Sequence, residues 1–261
     1  MPKMNGIFMA KKTLLRPKYT HISSFSASEA STMLAIGLQR YENDFVNLKN
    51  NSPCSIRMAM TNHLNNKKMI IASQKRKENI AEYILYMWQV EDLIRANNLD
   101  MAKIKANIIN RFNLSEAQSK EMEEWYESLI DMMRREGVVE SGHLQINRNI
   151  LNQLVQLHQT LLKDPAFPEY TAEFYRTLPF IVELRSKAAE NQVGEIETCF
   201  TALYGLLMMR LKKQELSKDT QDALTQISRF VALLAHDFHL DEEDKLFKHD
   251  EDDDKNILGT K

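Results

Sequence analysis

Glycine and proline are scarce: seven and six residues in a chain of 261. Tight strand connections need those residues at fixed places, so the composition argues against an all-β fold. Cysteine is rarer still. Cys54 and Cys199 lie far apart and form no CxxC, which leaves neither a disulfide framework nor a paired-cysteine zinc site. A reduced compartment is expected, with Cys199 serving as a small hydrophobe on a helix face. The longest apolar run, "CFTALYGLLMM" at residues 199–209, falls well short of the roughly 18 residues that suggest a membrane span. The opening "MPKMNGIFMAKKTLLRPKY" has no apolar stretch of signal-peptide length. A cytoplasmic protein is therefore expected, with no membrane association.

The motifs of several reaction classes are missing too. No GxGxxG or GxxxxGK[ST] supplies the close backbone approach that phosphate cradles use, and no GxSxG supplies a nucleophile elbow. No cofactor is implied. Helical metal sites favour ExxH pairs, and the one match, Glu140 to His143, has Gly142 inside it and reads as a loop. His236 and His239 in "HDFH" read as helix-terminal histidines favoured by the dipole, so no metal is expected. "IINRFNLSEAQSKEMEEWYE" has the rhythm of a helix-turn-helix, but its second helix carries five Glu against Lys120. Phosphate repulsion makes that a poor groove reader, and nucleic acid is disfavoured as a partner.

What is present favours helix: many Leu, Met, Glu, Lys, Gln and Ala residues, with 43% of the chain apolar. Charge is uneven along the chain. Residues 1–68 carry 10 basic and 3 acidic side chains, a net +7, and residues 69–261 carry the balance, a net -9. The first segment is rich in Ser, Asn, Lys and Met and holds one helical stretch, "SASEASTMLAIGLQRYENDFVNL", with Ser26 or Ser28 placed to cap it. The sequence divides into an N-terminal extension at 1–68, poorly ordered and dispensable for folding, with Met69 as a candidate translation start, a helical domain at 69–240, and an acidic disordered tail at 241–261.

Within the domain, helices are predicted near residues 74–97, 101–112, 115–136, 145–163, 168–177, 179–190, 192–213 and 218–239. Asp100 and Ser115 are N-cap residue types ahead of periodic runs. "KDPAFPEY" cannot continue a helix, and Pro179 is expected to end or kink one, with Thr177 capping the helix after it. The fold class is all-α, a bundle of about seven or eight helices. Tyr83, Tyr86, Trp88, Trp125 and Tyr126 recur at helical spacing and read as core.

"MIIASQKRKENIAEYILYMWQVEDLIRANNLD", followed by "NLSEAQ" and "WYESLIDMM", resembles an uncharacterised bacterial family, a domain of unknown function of the DUF4924 kind, over roughly residues 69–240. The resemblance implies a small all-helical cytosolic protein and brings no catalytic residues with it.

One stretch stands out. "EYILYMWQVEDLIRA", residues 82–96, is apolar nearly all round yet carries Glu91 and Asp92. Advancing roughly 100° per residue from Ile80, Glu91 falls in the centre of the apolar stripe and Asp92 on its boundary, where water reaches it. The same construction points Arg210 inward among Leu203, Leu206 and Leu207, and Arg185 inward with Leu178, Ile181 and Val182. A buried carboxylate needs a partner, so Glu91 is expected to pair with one of these arginines. Two readings are open. In the first the pairs fix helix packing, and the protein is a non-enzymatic scaffold or partner-binding module, a homo-oligomer or the binder of another protein. In the second Glu91, Arg185 and Arg210 line a pocket for a small anionic ligand or substrate, with His158, in "LVQLHQTLL", as a further candidate.

Overall fold

The computed structural model describes residues 69–112, 114–187 and 193–247. The N-terminal extension with its helical stretch, and residues 248–261 of the tail, lie outside the described residues. Among the described residues there are eight α-helices and no strand. They are α1 (Met69–Glu78), α2 (Ile80–Ala96), α3 (Met101–Asn107), α4 (Glu116–Arg135), α5 (Gln145–Lys163), α6 (Pro168–Lys187), α7 (Glu195–Leu211) and α8 (Lys218–Glu242), with a 3-10 turn at Ile109–Arg111.

Local chemistry sets most of the boundaries. Asp100 accepts from the amides of Ala102 and Lys103 to start α3, and Ser115 forms a reciprocal capping box with Gln118 to start α4. The expected helix over 74–97 is two helices. Asn79 leaves the helical conformation at φ -159°, ψ 105° and its side chain accepts from the amides of Ala81 and Glu82, so it caps α2 and separates it from α1.

Pro179 does not divide α6. An internal proline costs about 3 kcal/mol, but Phe174, Thr177, Ile181 and Leu184 are all buried and straddle it at helical spacing, holding both halves against the core. Thr177 is not a cap; its hydroxyl donates to the Glu173 carbonyl (2.8 Å). The Tyr175 carbonyl, which loses its helical donor to the proline ring, belongs to an exposed residue.

Helix α2 is the centre of the bundle. Fourteen of its 17 residues are buried, because α1, α4, α5, α7 and α8 all pack on it. Around it, α8 runs against α6 and α7. Among the described residues α8 continues to Glu242, Leu246 packs against the core, and the Phe247 ring meets Phe167 edge-on at 5.6 Å. Asp241 and Glu242 therefore lie in the last turn of α8. No helix among the described residues is long and apolar enough to cross a membrane.

Candidate functional site

On α2, Trp88, Glu91, Asp92 and Arg95 follow at spacings of three, four and seven residues and share one face. Opposite them lies the loop from α4 to α5. Gly142, at φ +91°, takes a conformation that L side chains rarely adopt, and this turn brings the loop back toward α2. Arg95 donates from Nη2 to the carbonyls of Val138 (3.0 Å) and Gly142.

Glu91 is wholly buried. Its Oε1 accepts from the Leu144 amide (2.9 Å) and from Asn147 Nδ2 (2.7 Å), and its Oε2 lies 2.6 Å from His143 Nδ1. A carboxylate can only accept, so the proton of that last bond sits on Nδ1. Leu144 is the N-cap of α5 and has no capping side chain; Glu91 supplies the missing acceptor from another helix. Its charge also faces the positive end of the α5 dipole. Hydrogen bonds and the helix terminus thus replace the water that burial removed.

Beside it, Asp92 accepts from Arg95 Nη1 (2.9 Å) and from the Tyr204 hydroxyl of α7 (2.6 Å). Burial pushes the Asp92 carboxyl above its usual range, and the bonds from Tyr204 and Arg95 pull against that shift. The Tyr204 hydroxyl is pushed well up, first by burial and then by the Asp92 charge. Trp88 closes the cluster: its ring stacks on His143 at 4.1 Å and 11°, and meets Phe200 and Tyr204 edge-on.

The arrangement can clamp a loop and fix three helices. Nearly every polar atom whose partner is described points to another protein atom within the cluster. The Asn147 Oδ1 oxygen is buried and has no hydrogen-bond partner among the described residues.

The expected constellation is not assembled. Glu91 is buried as its helical phase indicated, but neither arginine reaches it. Arg185 of α6 bonds Glu195 at 3.0 Å near the surface. Arg210 is exposed in the last turn of α7, where a cation suits the helix terminus. Glu91 is met instead by the Leu144 amide, Asn147 and His143, and no guanidinium has to be buried beside it. Asp92, expected to be wet, is buried, because Tyr204 and Arg95 cover it. His158 lies within 2.7 Å of the Tyr170 hydroxyl and among the rings of Phe174 and Phe230. Burial drives its pKa down to about 4, so it is a neutral core histidine at physiological pH. These four residues sit in separate settings.

Glu140 is exposed and His143 is turned toward Glu91, so the ExxH spacing forms no pair. Among the described residues no group of three or more His, Cys, Asp or Glu side chains is placed to hold a metal ion. Cys199 is buried, and burial pushes its thiol far up, as suits a small hydrophobe. A cavity between α6 and α8, lined by Phe180, Leu184, Thr220 and Leu224 among others, holds about 10 Å³, room for one water at most.

The family model described as Domain of unknown function (DUF4924) matches residues 69–245. The chain belongs to this family. The DUF4924 match begins at the first residue of α1 and ends in the turn after α8, so it contains all eight helices and every residue of the cluster. No curated protein and no solved structure matches the chain.

Part of the cluster is readable from the sequence. Glu91 and Arg95 stand four apart, and Asp92 and Arg95 three apart, a pattern that marks one charged face. The partners on the loop carry no such mark, since two carbonyls and an amide are common to every residue. His143, Asn147 and Tyr204 lie 52, 56 and 112 residues from their partners, beyond any periodicity.

Proposed function

We propose that this protein is a non-catalytic interaction module that binds a protein partner through the outward face of α6. One observation supports the reading above others. Tyr175 and Val182 are 62% and 56% exposed on that helix, two large apolar side chains separated by two turns on the same face. Single exposed hydrophobes are ordinary, but two on one helix face can form part of a surface that is covered in use. The polar cluster around Glu91, by contrast, spends its hydrogen bonds on the protein's own loop.

A photo-crosslinking amino acid placed at Val182 in the full chain, expressed in its own host, tests the reading. A control is placed at Gln153, exposed on α5. Discrete protein adducts at position 182, absent at 153 and lost when Tyr175 is changed to Asp, are expected. No adduct at 182, or the same adducts at both positions, would overturn the proposal.

A further inference from the structure

We draw no further inference here: the strongest candidate, the outward face of α6 that carries Tyr175 and Val182, belongs to the surface already described, and nothing in the structure shows which partner covers it.

Discussion

The Tyr204 hydroxyl of α7 donates to the Asp92 carboxylate of α2 at 2.6 Å, joining residues 112 apart in the chain. Burial raises the folded pKa of Asp92. For such a group the stability contribution is complete below the unfolded value, near 3.8, and is lost as pH rises through the folded value. Ionised Asp92 therefore strains the fold at neutral pH, and Tyr204 offsets part of the cost. Tyr204→Phe is expected to lower unfolding free energy by about 2 kcal/mol at pH 7 and by clearly less near pH 4. Urea titrations at the two pH values check this, and equal losses would contradict it.

Glu91 accepts from three donors, the Leu144 amide, Asn147 and His143. Glu91→Ala leaves them without that acceptor and should cost about 1 to 3 kcal/mol for each buried donor left unpaired. Glu91→Gln keeps an acceptor for Leu144 and Asn147 and offers an amide donor to His143, whose ring can accept by moving its proton. It should cost about 1 to 2 kcal/mol. Arg185→Met and Arg210→Met should each lower stability by clearly less than Glu91→Ala. A loss at either arginine equal to that of Glu91→Ala would restore the pairing expected from the helical wheel.

His158 gives the acid limb of stability. Its folded pKa is lowered to about 4 from 6.5, so between those values the unfolded chain binds a proton that the folded chain refuses. Stability then rises with pH across that window, by at most about 3 kcal/mol. Asp237, whose carboxyl burial raises, acts with the opposite sign at the acid end, so the comparison must be between variants. His158→Gln should flatten the slope of unfolding free energy between pH 4 and 6.5. An unchanged slope would show that His158 takes no part in it.

The end of the domain lends itself to paired truncations. A cut after Leu240 removes the last residues of α8 and the contacts of Leu246 and Phe247, and should cost about 1 to 2 kcal/mol. A cut after Phe247 should leave the melting temperature as it is. Equal melting temperatures for both truncations would mean that the Phe167–Phe247 contact contributes nothing.

Features written in a few adjacent residues are legible in the sequence. Asp100 and Ser115 cap because their short side chains reach the next turn, and "KDPAFPEY" stops α5 because of proline chemistry. Asn79 is not legible, since it follows Lys, Arg and Glu in good helix-forming sequence and only the backbone shows that the chain turns there. Pro179 misleads for the opposite reason: a local penalty is outweighed by a buried stripe on both sides of it. The same division runs through the cluster. The burial of Glu91 follows from periodicity, but what it binds is set by where a loop closes.

Glu91 on α2 completing the first turn of α5 has a consequence for folding order. Glu136 holds the Gln145 amide locally, but the Leu144 amide and the Asn147 side chain are held by Glu91 of α2, so the closing of that turn is linked to the docking of an element more than 50 residues away. Amide hydrogens in the first buried turns of α5 should then exchange with solvent at the same rate as those of α2, through one shared opening, and both should become faster together when Glu91 is removed.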